Sequence, residues 1–593
     1  MRSIFVGLLW VVCFLRPSGA SETSPQQVAA EVDRLVLDAG GAGPFEIVDD
    51  ATFLRRASLD LIGRPPTVAE ITRFGLDPSA DKRNRLVQQL LGSDDYATNF
   101  SHYWRDVLLR PATNVRSSLV QPAFEDWMAE NLKTNRPWDA IVTDLLTASG
   151  PVNDNGASAL IFAHEGVPEE IAAEASRLFL GIQIQCANCH DHPWDGWKRQ
   201  QFHEFTAFFP RVSVRRERGS DRVFDYEIAS VDVDRRRALG LSEFMLARID
   251  RNRDQFISES EAKNTMLARV FSGQAKEYID KDGDGRLSVE EIKTAQPPDA
   301  NRPGQGATEH HMPNLADPSS DGDLIHPSFF IGNADVEKRL DDMTRRKTVA
   351  GLITSKDNPW FAKAIVNRLW SELTSTAFYT PIDDLGPNRA AEHTDALQVL
   401  SDGFVAHDYD LKWLLQTITA TRLYQRPVNS DAEGFVRLEP TKLRSDQFYN
   451  ALCQTLNVTA LPLQFTGGRR GPYASRQDPG RLQFAATFGF DPSTPRDELT
   501  GSIPEALFLM NSKQLHEFVK VDSPNSTIAR ISRQVLTDEE VVRELFLHTV
   551  SREPTDRELQ ICMDAVNNAP NRKDGFEDVL WSLLNSSEYQ SRS

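Results

Sequence analysis

Residues 280–291 read Asp-Lys-Asp-Gly-Asp-Gly-Arg-Leu-Ser-Val-Glu-Glu, and few folds accommodate such a run. Side-chain oxygens recur at the first, third, fifth, ninth and twelfth positions: Asp280, Asp282, Asp284, Ser288 and Glu291. The seventh, Arg286, offers its backbone carbonyl. This is the ligand order of an EF-hand calcium loop, which is entered and left by helices. Gly285 takes the sixth position, where the backbone turns sharply, and Leu287 at the eighth is apolar, as pairing with a sister loop requires.

The sister loop is residues 250–261, with Asp250, Asn252, Asp254, the carbonyl of Phe256, Ser258 and Glu261 as donors and Ile257 at the eighth position. It has one carboxylate fewer and carries Gln255 where glycine belongs. A left-handed backbone costs a residue with a Cβ about 1–2 kcal/mol. Both features predict weaker calcium binding than at 280–291; a degenerate loop kept only for pairing is the alternative. Helices are expected at 241–249, 261–271, 275–279 and 290–294, and Pro297-Pro298 closes the module.

A second motif is Cys186-Ala187-Asn188-Cys189-His190. Two thiols at this spacing match the two vinyl groups of a haem, and the next imidazole can reach the iron, so the run is a c-type haem attachment pattern. Cys186 and Cys189 would be the thioether anchors and His190 the proximal ligand. His102, His164, His203 and Met128 are candidates for the sixth position, while His192 is too near His190 to reach the opposite face. Trp194 and Trp197 could cover a haem edge or be plain core. A Cys186–Cys189 disulfide, and a zinc site using Cys186, Cys189 and His192, remain open.

Haem attachment happens outside the cytoplasm, so the start of the chain bears on it. Arg2, the apolar run Phe5 to Leu15, and Ser18-Gly19-Ala20 form an export signal covering residues 1–20. The run is short for a membrane span, although an uncleaved anchor is the alternative. No later segment is apolar enough to cross a membrane, so a periplasmic or cell-surface location is expected. The mature chain keeps Cys186, Cys189, Cys453 and Cys562, too few for a disulfide scaffold. The formal charge is −19, and it becomes more negative once Arg2 and Arg16 leave with the signal. Such acidity disfavours nucleic acid as a partner.

Helical periodicity dominates the rest. Pro168-Glu169-Glu170 opens a stripe of Ile171, Ala175, Leu178, Phe179 and Ile182 that runs into Cys186. Residues 361–373 and 411–423 carry similar stripes, and 222–233 is the best strand candidate. Residues 299–325, rich in Pro, Gly, Asp, Asn and Ser, read as a linker in which His310-His311 is exposed. Residues 466–480 read as a surface loop. The expected fold is mainly α: a multi-domain helical protein with few strands and an inserted EF-hand module. Its parts are a signal (1–20), an N-terminal domain (21–215), a connector (216–240), the loop pair (241–298), a linker (299–325) and a C-terminal domain (326–593).

The chain ends resemble each other. Gly63-Arg64-Pro65-Pro66-Thr67-Val68-Ala69-Glu70 and Ser551-Arg552-Glu553-Pro554-Thr555-Asp556-Arg557-Glu558 share Pro-Thr-x-x-Glu, a capping box that starts a helix. Both lead to a matching helix end, at 90–96 and 583–589. One helical unit used twice explains this.

Several longer motifs then carry a resemblance. They are Asp49 through Arg56, Ser58 through Thr67, Phe179-Leu180-Gly181, Cys186 through Asp195, Asp357 through Ala362, Val366 through Trp370, and Asp383 through Pro387. With these the chain resembles the planctomycete cytochrome-related exported family, a two-domain family of unknown function. The resemblance implies two helical domains with the calcium module inserted between them. It brings no catalytic mechanism, and its cytochrome label rests on the same Cys-x-x-Cys-His run. No nucleophile elbow or triad is present, so no catalytic residue is named. Two functions follow as expectations. One is an exported calcium-binding protein with c-type haem for electron transfer or redox chemistry, working with a redox partner. The other is an exported helical scaffold that binds a partner protein, with a disulfide or zinc site at the cysteines.

Overall fold

The computed structural model describes residues 23–40, 46–112, 115–217, 224–234, 246, 248–263, 265, 267–271, 279–280, 282–294, 308–428, 434–436, 438–461, 478–494, 499, 501–534 and 537–592. The expected export signal, most of 466–480 and most of the helices expected at 241–249 and 275–279 lie outside them.

The chain is mainly helical, and its helices start and stop where short polar side chains and glycine dictate. Asp49 Oδ1 accepts from Thr52 N at 2.8 Å to open helix Asp50–Ile62, which ends at Gly63 with φ +67°. A Cβ on Gly63 would stand 2.6 Å from Asn99 Oδ1, so this end needs glycine for space as well as for backbone angle. Helix Pro168–Leu180 opens on Pro168 with Glu169 and Glu170 in its first turn, and stops at left-handed Gly181. Asn358 caps helix Pro359–Thr374, whose stripe from Phe361 to Leu373 is buried. The stripe at 411–423 is not one helix: Leu411–Ala420 ends, and Thr421 caps a separate turn, Arg422–Gln425, by accepting from Tyr424 N at 3.1 Å. Ser, Thr, Asp and Asn compete with the helix for backbone groups in this way.

Both copies of the repeated unit close alike. Thr67 with Glu70, and Thr555 with Glu558, form complete capping boxes. Arg64 bridges Glu70 at 3.0 Å and Asp95 at 2.9 Å; Arg552 bridges Glu558 and Glu588, each at 2.8 Å. The copies touch through Arg55, which donates to the carbonyls of Glu588 at 2.9 Å and Tyr589 at 3.4 Å.

Strands are short. Tyr226–Ser230 lies between Gly150–Pro151 and Val212–Arg216 in an antiparallel sheet with Val214 opposite Ile228. The strand expected to reach residue 233 instead turns into helix Val231–Asp234. One apolar core runs from Val28 to Phe435 and so crosses the expected boundary between N- and C-terminal domains. A second joins Leu59 to residues 443–589, and a third, small core belongs to the paired loops alone.

Of the stretch expected as a linker, residues 308–325 are described, and they are structured. Strand His310–Met312 pairs antiparallel with Asp323–Ile325. Glu309 is buried between two guanidinium groups, Arg211 and Arg345, each at 2.7 Å. His310 is buried too, not exposed as its polar surroundings suggest. Arg211 also holds Asp232, with Nε at 3.1 Å from Oδ1. The chain therefore leaves for the paired loops and returns from them at one side chain. No helix among the described residues is long and apolar enough to cross a membrane.

Candidate metal centre and the Cys-x-x-Cys-His segment

The two acidic loops are joined by a two-residue ladder: Phe256–Ile257 pairs antiparallel with Leu287–Ser288, with Ile257 opposite Leu287. Both apolar residues are fully buried in the small core with Ile249, Ile279 and Ile292. The eighth loop positions thus meet as the sequence requires, and fix the loops side by side.

In the second loop, carboxylate oxygens of Asp280, Asp282 and Asp284 lie within 4.8 Å of one another, the one group of three or more His, Cys, Asp or Glu donors so placed among the described residues. Backbone N–H groups aim them: Gly285 N donates to Asp280 at 3.0 Å, Asp284 N to Asp282 at 3.1 Å, and Arg286 N to Asp284 at 2.7 Å. Ser288 N and Oγ both donate to Glu291, at 2.8 Å. Left-handed backbone falls on Gly283 and Gly285.

The first loop repeats this frame with other residues. Gln255 N donates to Asp250 at 3.0 Å, Asp254 N to Asn252 at 3.0 Å, and Phe256 N to Asp254 at 2.9 Å. Left-handed backbone falls here on Gln255, as expected, and on Arg253, which the sequence reading missed. Asp250 is buried, and its Oδ1 has no hydrogen-bond donor among the described residues. Glu261 accepts from Ser258 N at 3.0 Å and Arg251 N at 3.1 Å. Those donors, Ser258 foremost, hold its carboxyl below 4.5, in the ionised form a ligand needs. An all-oxygen set of this charge suits a hard cation such as calcium.

The cysteine motif follows Gly181 as a short 3-10 helix, Ile184–Asn188. Cys186 and Cys189 are exposed free thiols, and His190 is exposed as well. His190 Nδ1 lies 2.7 Å from the Asp191 carbonyl and donates to it, leaving Nε2 with the lone pair a metal would use. His192 is buried, and its Nδ1 accepts from Asp195 N at 3.0 Å. Cys186, Cys189 and His192 do not converge as a metal set among the described residues.

The candidate sixth ligands lie in different surroundings. His203 lies against the motif, but its Nε2 meets the Asn188 carbonyl at 3.0 Å and its Nδ1 meets His310 at 2.8 Å. His102 faces Asp446 at 3.6 Å. Met128 is in the main core. His164 is half-buried, which lowers its pKa against the opposing pull of Glu174 and Glu170, and its Nε2 has no hydrogen-bond partner among the described residues. Trp197 packs edge-on against Phe330, and Trp194 is 74% exposed. Two exposed thiols and the exposed His190 imidazole are the donors that covalent haem attachment would use.

Residues 31–214 match a family model, PSCyt2, described as a protein of unknown function (DUF1549), and residues 345–451 match a second, PSD1, described as a protein of unknown function (DUF1553). The chain thus carries one segment similar to each of two families of unknown function. No curated protein and no solved structure matches it. Polar contacts tie the PSCyt2 segment to the PSD1 segment. Asp60 accepts from the Tyr424 hydroxyl at 2.8 Å, Asp383 accepts from Arg177 at 2.6 Å, and Leu385 N donates to the Gly181 carbonyl at 2.7 Å. Within PSD1, Asn367 accepts from Tyr379 N at 3.0 Å and donates to its carbonyl at 3.1 Å. Many of the recognisable motif residues are therefore scaffold.

Proposed function

We propose that this is an exported calcium-binding protein whose two acidic loops form an EF-hand pair set between the PSCyt2 and PSD1 segments. The observation that carries the reading is the convergence of Asp280, Asp282 and Asp284 beside a ladder that pairs Ile257 with Leu287. Calcium would offset repulsion among these carboxylates and stiffen the module. Export is supported by Arg2, the run from Phe5 to Leu15 and the small residues before Ser21.

Titration calorimetry on the mature chain tests this. Two binding events are expected, in the weak range of extracellular modules, about 10⁻⁴–10⁻³ M. Glu291→Gln should remove the tighter event and Glu261→Gln the weaker. Absence of binding heat, with equal melting temperature in chelator and in millimolar calcium, overturns the reading.

A second reading has one observation in its favour: both thiols and the Nε2 side of an exposed histidine are accessible at a haem-attachment motif. In that reading Cys186 and Cys189 anchor haem and His190 is its protein ligand. Protein from a host that matures c-type cytochromes should then keep a Soret band after acid–acetone extraction, and Cys186→Ala with Cys189→Ala should abolish it. Colourless protein from such a host leaves the calcium-binding helical scaffold.

A further inference from the structure

A cleft of about 460 Å³ opens between helices Asp94–Leu109 and Val115–Lys133 on one side and helices Ser445–Leu456 and Pro479–Phe488 on the other. It is unconnected with the calcium loops and the cysteine motif. One wall belongs to the PSCyt2 segment; the other begins in PSD1 and continues beyond it.

The carboxylates in this cleft are already answered. Arg105 donates to Asp106 at 2.9 Å and to Glu125 at 2.8 Å. Gln121 also donates to Glu125, at 3.0 Å. Asp446 accepts from Arg444 at 3.2 Å and faces His102. Asp478 accepts from the Tyr449 hydroxyl and from Gly480 N. Burial pushes Asp446 and Glu125 up. Arg444, His102 and Arg105 outweigh it at Asp446, as His102 and Arg105 do at Glu125, and both stay ionised.

The donors are not all used. Arg110 Nε, Arg481 Nη1 and the hydroxyl of Ser445 are buried at the cleft and have no hydrogen-bond partner among the described residues. Buried donors without partners are rare in folded proteins. Two of these are held in place. Arg481 donates to Asn450 through its other nitrogen at 2.6 Å and lies on the Tyr449 ring, 4.6 Å from its centroid. Arg110 passes so close to Gly489 that a Cβ there would stand 2.3 Å from its Nη2. Ser445 is 2% exposed.

Arg110 also faces Asp106 through Nη2 at 3.7 Å, but one nitrogen on each of the two guanidinium groups and the hydroxyl still have no acceptor among the described residues. That calls for a group rich in oxygen lone pairs, and arginine is the residue best matched to oxyanions. We infer that the cleft binds a small molecule bearing a carboxylate, phosphate or sulfate, with the oxyanion held by Arg110, Arg481 and Ser445. The volume is that of a small-molecule site, larger than a bare ion needs. Leu109, Leu482 and Ala485 offer apolar contact to the remainder.

The test is calorimetry on the mature protein in calcium-free buffer, with inorganic phosphate, sulfate, glucuronate and glucose as probes. At least one of the three anions should bind and glucose should not; which anion binds identifies the group. Arg481→Gln should weaken that binding roughly tenfold or more, as expected for a charged hydrogen bond, and Ser445→Ala several-fold. Melting curves check that each variant folds; if Arg481→Gln does not, Ser445→Ala decides. Failure of all three anions to bind, glucose binding as well as the anions, or unchanged affinity in the folded variants overturns the inference.

Discussion

His203 Nδ1 lies 2.8 Å from His310 Nε2, with the rings stacked at a centroid distance of 5.1 Å. The remaining contact of His203 settles where the protons are. Its Nε2 faces the Asn188 carbonyl at 3.0 Å and must donate, so Nδ1 accepts and His310 Nε2 carries the hydrogen between the rings. Both rings are neutral in this arrangement. It links the cysteine motif to the strand His310–Met312 across the chain.

That arrangement sets a pH dependence. Burial, with His203 and His311 nearby, pushes His310 down from 6.5 to about 3, and burial lowers His203 as well. The unfolded chain takes up these protons first. Their contribution to stability is full above about pH 6.5 and is lost as pH falls toward about 3. Melting temperatures of the wild type should drop more steeply over this window than those of His310→Asn, which keeps an N–H donor but does not titrate. Parallel slopes would remove the histidine pair as the cause.

In the first acidic loop, Gln255 holds a φ of +69° where the second loop has Gly285 at +83°. Gln255→Gly should relieve about 1–2 kcal/mol of backbone strain and tighten calcium at that loop by roughly five- to thirtyfold. Calorimetry on Gln255→Gly in the Glu291→Gln background isolates the event.

Arg211 and Arg345 enclose Glu309 away from solvent. Arg211→Met should strip one partner from a buried charge and cost about 3–5 kcal/mol of unfolding free energy. Urea titration of the two proteins measures it.

The paired loops have their own core, and the chain on either side returns to Arg211. Excising residues 241–298 with a short flexible replacement should leave a protein that still melts cooperatively. Loss of cooperative melting would show that the module supports the rest of the fold.

Features set by local chemistry were legible in the sequence. Thr67 and Thr555 announce their helices because a cap needs only residues three positions apart, and Ile257 meets Leu287 because the loop order dictates it. Features set by distant partners were not. Composition marks 308–325 as a linker because it is polar. What orders it is Arg211, Arg345 and His203, whose positions a single chain does not announce. The cleft is hidden for the same reason: Arg110, Ser445 and Arg481 come together only through packing, and none belongs to a recognisable motif.

The clamp on Asp232 and Glu309 has a consequence for how such a protein can change. With both ends of the excursion fixed at one guanidinium, the length between them is nearly free: doubling a flexible loop costs only about 0.6 kcal/mol. Arg211 makes a socket into which a foreign domain, a fluorescent reporter or a different ion sensor could be plugged without redesigning the helices that hold it.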